Sequence, residues 1–250
     1  MTNHKSQLSN AIIFAAGLGT RLKPLTDTIP KALVPLAGKS LLQQQVEKLR
    51  DAGITNIVVN VHHFPDMIID TIRQNNGWGC NIRVSDERDR LLDTGGGLKK
   101  ILCSPSPLFP STSPVLACNV DILSNIDLQA LIATYEQTGV SQLVVSERTT
   151  NRYLCFSEKG LLQGWTNTAT GEKKGMDGRH LAFSGLQILA PQTLTLLSLM
   201  PQDKFSLIDF YLSVMGKIPL QAYVPKNYRM MDVGKIDQIE QAELFAESLQ

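Results

Sequence analysis

The sequence predicts an α/β fold built on a mixed, mostly parallel sheet flanked by helices, with a small antiparallel section in the second half. Three observations carry this. Apolar runs of four to seven residues alternate with helical patterns through the first half, the sequence form of βαβ units. From about residue 152 the runs shorten and are separated by polar, Gly/Lys-bearing chain. At 250 residues and 43% hydrophobic composition, the chain can bury a substantial core without disulfides or metal staples.

The elements follow in order. Residues 11–15 and 57–61 read as strands. Between them Ser40 and Gln43 fit a capping box, Leu42, Val46 and Leu49 share one helical face, and Gly53 ends the helix in the left-handed region, so 41–52 is a helix. Pro65 opens a helix over 65–75, and 81–85 alternates like a strand. The stretch SPSPLFPSTSP, 104–114, is a proline-rich surface loop. A buried strand over 115–118 leads to Asn119-Val120-Asp121, then a helix near 127–137 and a strand at 142–147. Short strands at 153–156, 161–165 and 182–189 flank the polar stretch 167–180. Helices near 191–199, 206–215 and 235–248 and a strand at 219–224 complete the chain.

Composition narrows the function. Lys and Arg (24) nearly cancel Asp and Glu (23), so no global field favours nucleic acid or an anionic membrane, and any anion must be held locally. No stretch is apolar and long enough to span a bilayer, and MTNHKSQLSN lacks the apolar core of a signal peptide, so a soluble cytoplasmic protein is expected. Cys80, Cys103, Cys118 and Cys155 lack metal-ligand spacing and are expected to be buried reduced thiols. His62-His63 is read as structural, because adjacent strand residues point to opposite faces.

The segment AAGLGTRLKP, 15–24, follows the first strand directly. Glycines there let backbone N–H groups form a concave nest for phosphate oxygens, although a plain turn fits the same residues. A dinucleotide fingerprint requires a third glycine where Leu22 stands and a helix that Pro24 obstructs, and the P-loop pattern is absent. Asp121 stands at the C-terminal end of a buried strand, a usual ligand position in open α/β sheets but also a common turn or cap.

The longer constellation AAGLGTRLKPLTDTIPKALVPLAGKSLL, 15–42, resembles the opening of the sugar-1-phosphate nucleotidyltransferases: Gly-x-Gly-Thr-Arg-Leu-x-Pro-Leu-Thr, then Pro-Lys-x-Leu-x-Pro. The resemblance implies a Rossmann-like sheet of the nucleotide-diphospho-sugar transferase type, in one domain over 1–250. Residues 10–147 would be its nucleotide half, 148–234 its sugar half with the antiparallel section, and 235–250 its C-terminal helix. It further implies transfer of a nucleotidyl group from an NTP to a sugar 1-phosphate, with Mg²⁺ as cofactor and without nucleic acid or membrane partners. Oligomeric state is not legible.

By the same resemblance, Arg21 and Lys31 are the catalytic cations. Ala15, Ala16, Gly17, Leu18, Gly19 and Thr20 bind nucleotide phosphates, and backbone groups of Asp93, Thr94, Gly95 and Gly96 meet the base and sugar. Asn119, Ser184 and Gly185 lie on the sugar side. Asp121, in Asn119-Val120-Asp121, and Asp232, in Met231-Asp232-Val233-Gly234, supply the metal carboxylates. Val120 replaces the family's glycine and is expected to narrow the approach to ligand. The glycines at 95–97 favour close approach to a ligand over a helix end.

The set Asp93–Gly97, Asn119–Asp121, Phe183–Gly185 and Phe205-Ser206-Leu207 through Met215 is most similar to N-acetylmuramate 1-phosphate uridylyltransferases, and a short form that lacks the C-terminal β-helix of bifunctional relatives is expected. UTP is the favoured nucleotide. Mannose- or heptose-1-phosphate guanylyl transfer, and a binding module that has lost its chemistry, are the alternatives.

Overall fold

The computed structural model describes residues 8–249. Most of the N-terminal leader reading and the last residue of the 235–250 segment lie outside this range. Strand β1 (Asn10–Phe14) is followed by the short pair β2 (Pro35–Leu36) and β3 (Lys39–Ser40), then α1 (Leu41–Asp51), β4 (Asn56–Val61), α2 (Pro65–Gln74), β5 (Asn81–Asp86) and α3 (Asp93–Cys103). Next come β6 (Val115–Asn119), β7 (Ile122–Ser124), α4 (Leu128–Thr138), β8 (Ser141–Ser146), β9 (Arg152–Phe156), β10 (Leu162–Asn167), β11 (Lys173–Gly175) and β12 (Arg179–Leu189). The chain closes with α5 (Pro191–Leu194), α6 (Leu207–Val214), β13 (Leu220–Tyr223), β14 (Met230–Asp232) and α7 (Ile239–Glu247).

Strands β5, β4, β1 and β6 form a parallel block. Strand β12 pairs antiparallel with β6 and β8, while its first residues pair with β9, which continues to β10 and β11. This is the predicted mixed sheet with its antiparallel section. Strand β1 is buried on both faces: Ala11 and Ile13 enter one apolar cluster, Ile12 and Phe14 the other. After β1 the chain runs outward to β4 and β5, then returns to β6 on the other side. The C-terminal end of β1 is therefore a topological switch point, where open α/β sheets leave a crevice.

Local signals place most helix ends. Ser40 accepts a hydrogen bond from the Gln43 N–H, although Gln43 uses its own side chain on Glu47, so only half the capping box forms. Ser206 and Asp209 complete a full box at α6. The predicted helix over 191–199 is α-helical only to Leu194 and continues as a 3₁₀ turn, Thr195–Leu199. Thr193 and Thr195 are weak helix formers there.

Helix α3 corrects the reading of the glycine run, since Gly95, Gly96 and Gly97 lie inside it. Each glycine costs a helix ~1 kcal/mol relative to alanine, and tertiary packing explains why they are kept. A Cβ on Gly95 would fall 2.5 Å from the Phe205 ring, and one on Gly97 would fall 2.8 Å from Glu87 Oε1. On Gly96 it would overlap the Asp203 carbonyl. The close approach is to protein. Among the cysteines all four are free, but Cys103 is exposed, because the last turn of α3 opens onto the 104–114 loop, and Cys80 is half-buried just before β5. Burial pushes the Cys118 thiol up to about 12.

Candidate active site

A cleft of about 470 Å³ opens over the C-terminal ends of β1 and β6. A larger depression of about 540 Å³, between α1, the start of α4 and α7, contains none of the predicted site residues. In the cleft, the loop after β1 is fixed at two points. Ala15 N–H donates to Asn60 Oδ1 at 2.8 Å, and Thr26 Oγ1 donates to the Gly19 carbonyl at 2.8 Å. Gly19 adopts φ +64, and the 3₁₀ turn Thr20–Leu22 follows. Leu22 is fully buried in the core, which leaves its neighbour Arg21 directed to the cleft. Among the described residues, the N–H groups of Gly17, Leu18 and Gly19 have no hydrogen-bond acceptor.

The two glycines have different work. A Cβ on Gly17 would meet nothing within 4 Å, whereas one on Gly19 would meet Thr26 Cγ2 at 2.7 Å at a left-handed φ. Gly17→Ala is thus expected to leave Tm unchanged while weakening nucleotide binding, because its methyl group enters space only a ligand would use. Gly19→Ala is expected to destabilise by roughly 1–3 kcal/mol, about 2–4 °C of Tm per kcal/mol at this chain length. Thermal melts with a nucleotide titration separate the two; equal Tm losses, or unaltered nucleotide affinity in Gly17→Ala, would contradict this division.

Lys31 is buried, and its ammonium forms an ion pair with Asp121. Asp121 leaves the end of β6, where Val120 N–H donates to the Phe14 carbonyl at 3.1 Å. Val120 is 4% exposed, packs in the apolar cluster and also lines the cleft beside Asp121. Strand β14 pairs antiparallel with β7, setting Asp232 opposite Ile122, and Val233 N–H donates to the Asp121 carbonyl at 2.9 Å. Two aspartates 111 positions apart in sequence thereby become neighbours. Gly234 lets Arg21 and Asp232 close on one point: a Cβ there would lie 2.9 Å from both Arg21 Nη2 and Asp232 Oδ1.

Asp232 is accessible as a residue, yet its carboxyl sits recessed. Burial and the adjacent Asp121 push its pKa above the ordinary carboxylate range, against the pull of Lys31, Arg21 and Arg148. Two carboxylates repelling each other beside oxygen-accepting space match the donor set of a hard divalent cation.

Asp93 and Thr94 line the cleft, with Asp93 at a positive φ of 63 and its carboxylate accepting from Thr94 N–H at 2.6 Å. The expectation that backbone groups of Gly95 and Gly96 meet the base and sugar is corrected: neither residue lines the cleft, and both N–H groups donate to the Phe205 carbonyl, at 2.9 and 3.1 Å. Asn119 lines the cleft, while Ser184 and Gly185 are buried behind it. Gly185 has φ +68 within an irregular stretch of β12, and a Cβ on it would meet the Asn119 amide at 2.8 Å. His62 and His63 each contact a different backbone carbonyl, of Glu87 and Thr26.

Sequence reasoning missed Asn60, Glu87 and Lys204. Asn60 bridges Ala15 to Glu87 Oε1, and Glu87 Oε2 accepts from Leu92 N–H just before α3, so one buried pair ties the phosphate-side loop to the α3 loop. The one signal was a polar residue inside the apolar run 57–61. Lys204 lines the cleft from the segment packed on the glycines.

This fold and this loop define the class. Residues 10–155, more than half of the chain, match the nucleotidyl transferase family, and the chain belongs to it. Within that class it is 42% identical over 113 residues to the N-acetylmuramate alpha-1-phosphate uridylyltransferase of Caulobacter vibrioides, covering 44% of this chain and 45% of that one. It is 28% identical over 193 residues to the mannose-1-phosphate guanyltransferase of Saccharomyces cerevisiae, covering 76% and 52%. The aligned stretches thus span about half the length of these curated relatives. The crystal structure of HddC from Yersinia pseudotuberculosis complexed with GMP-PN superposes with a TM-score of 0.72 at 26% identity, covering 97% of this chain and all of that one. No helix among the described residues is long and apolar enough to cross a membrane.

Proposed function

We propose that this chain transfers a nucleotidyl group from an NTP, UTP being favoured, to a sugar 1-phosphate, N-acetylmuramate 1-phosphate or a related hexose 1-phosphate, releasing pyrophosphate. The observation that carries this reading is the meeting, around one cleft, of free loop N–H donors, two fixed cations and two adjacent carboxylates. A sugar phosphate oxygen attacks the α-phosphorus, the bond to the β-phosphate oxygen breaks, and pyrophosphate leaves. The nucleophile is already ionised at neutral pH, so no protein base is needed.

Catalysis is then positioning and charge neutralisation. The N–H groups of Gly17, Leu18 and Gly19 take the triphosphate oxygens. Arg21 forks onto the α- and β-phosphates, where negative charge gathers as the bond breaks. Lys31 bridges the incoming phosphate and the α-phosphate. Its pairing with Asp121 in the free protein keeps both charges compensated until substrates arrive. Asp121 and Asp232 would hold Mg²⁺, which supplies Lewis-acid neutralisation of phosphate oxygens. Asp93 and Thr94 face the base side, Asn119 with Gly185 behind it the sugar side. In this reading residues 10–147 form the nucleotide half and 148–234 the sugar half of one domain.

Pyrophosphate release measured across UTP, GTP, CTP, dTTP and ATP, crossed with several sugar 1-phosphates, tests the reading. Release is expected fastest with UTP and N-acetylmuramate 1-phosphate. A GTP preference with mannose or heptose 1-phosphate would transfer the assignment to guanylyl transfer, the reading favoured by the whole-length likeness to HddC. No release with any pair would leave a binding module and defeat the proposal.

A further inference from the structure

The antiparallel section holds a cluster that nucleotidyl transfer does not use. Cys155 on β9 and His180 on β12 are direct cross-strand partners, so their side chains stand on one face. That face is not core. Leu154 and Phe156 turn to the apolar cluster, while Cys155 belongs to neither cluster and is nevertheless only 1% exposed. Its cover is a length of backbone. Gly164, the partner of Cys155 on β10, leaves room for the Met176 carbonyl, which a Cβ would overlap, and Gly178 likewise lies against the Phe156 carbonyl. Met176 N–H donates to the Gln163 carbonyl at 2.8 Å, pinning the same crossing.

These approaches carry Asp177 over the thiol. A ligand atom each from Cys155, Asp177 and His180 lie within 4.8 Å of one another, and Asp177 Oδ1 is 2.6 Å from His180 Nε2. The Tyr153 ring stacks on the imidazole, 5.7 Å between centroids. Lys173 reaches Asp177 Oδ2 at 3.3 Å, while Oδ1, besides meeting His180, accepts from Gly178 N–H at 2.9 Å.

We propose that Cys155, Asp177 and His180 form a zinc site that fastens the β11–β12 connection, 176–178, onto strand β9. Zinc takes sulfur at ~2.3 Å and nitrogen and oxygen at ~2.0–2.2 Å in tetrahedral array, which sets its ligand atoms about 3.4–3.6 Å apart. The Asp177–His180 contact must open by about 1 Å to meet that spacing. Both side chains are exposed and supply that movement, while Cys155 stays fixed in the strand. The fourth position faces solvent and takes water. A thiolate and an imidazole select zinc against Mg²⁺, so this cluster and the paired aspartates of the cleft sort the two metals by donor chemistry. The sequence hides the site, since Cys155 and His180 meet only through strand pairing.

The full chain, stripped with chelator, loaded with Zn²⁺ and dialysed, is expected to retain one zinc, also when Asp121 is changed to Asn. Cys155→Ser and His180→Gln are expected to retain none. With Co²⁺, wild type should show a thiolate-to-cobalt charge-transfer band that Cys155→Ser lacks. His180→Gln and Asp177→Asn alter exposed side chains and answer the question if Cys155→Ser does not fold. Zinc should raise the Tm of wild type and leave that of His180→Gln unmoved. Failure of wild type to retain zinc, or retention by Cys155→Ser and His180→Gln at the wild-type level, would overturn the proposal.

Discussion

Arg21→Ala is expected to lower kcat by on the order of 10²–10³, the ~3–4 kcal/mol that one aimed charge contributes to a developing anion. Tm should stay within about 1–2 °C, because among the described residues Arg21 makes no hydrogen bond or ion pair and a substitution free of such features costs within ±0.5 kcal/mol. The guanidinium is placed without a direct bond: Leu22 anchors the turn in the core, Gly234 leaves the space beside Asp232, and that carboxyl attracts it across the gap. Arg21→Lys should recover only part of the rate, since an ammonium cannot fork across two phosphates. Pyrophosphate release at saturating substrates with a parallel melt reads both effects. Near-normal turnover in Arg21→Ala would remove Arg21 from the chemistry.

The parts of the fold set by local pattern were legible. Strand β1, helix α1 with its Ser40 cap, and α2 with Pro65 fall within a residue or so of expectation, because capping and periodicity act over short distances. Helix α3 was not legible. Glycine propensity opposes a helix there, and the compensating contacts come from Phe205 and Asp203, more than a hundred positions away. The pairing of β7 with β14 was invisible for the same reason, although it is the contact that sets Asp121 beside Asp232. At the site, sequence motifs pointed to charged and glycine residues. The buried Asn60–Glu87 bridge carried almost no signal, because its members tie loops together through contacts that no local motif encodes, although Asn60 also lines the cleft.

Asp232→Asn is expected to separate stability from activity. In the free protein, burial and the neighbouring Asp121 hold the Asp232 carboxyl above its ordinary range, so folding favours its protonated form. A raised pKa of this kind contributes stability at acidic pH, below the unfolded value near 4, and that stability is lost as pH rises through the folded value. Ionised Asp232 at neutral pH is therefore a small burden on the metal-free fold. Asparagine removes it, so the metal-free variant should melt at or slightly above wild type near pH 7, with the difference shrinking toward pH 4. Mg²⁺ should raise the Tm of wild type, where it offsets the paired carboxylates, and lose most of that effect in the variant. Turnover should fall by on the order of 10²–10³, as several kcal/mol of charge neutralisation at the phosphates disappears. Melts with and without Mg²⁺ between pH 4 and 8, beside pyrophosphate release, test all three. A variant that Mg²⁺ still stabilises like wild type, with turnover retained, would place the metal elsewhere than on Asp121 and Asp232.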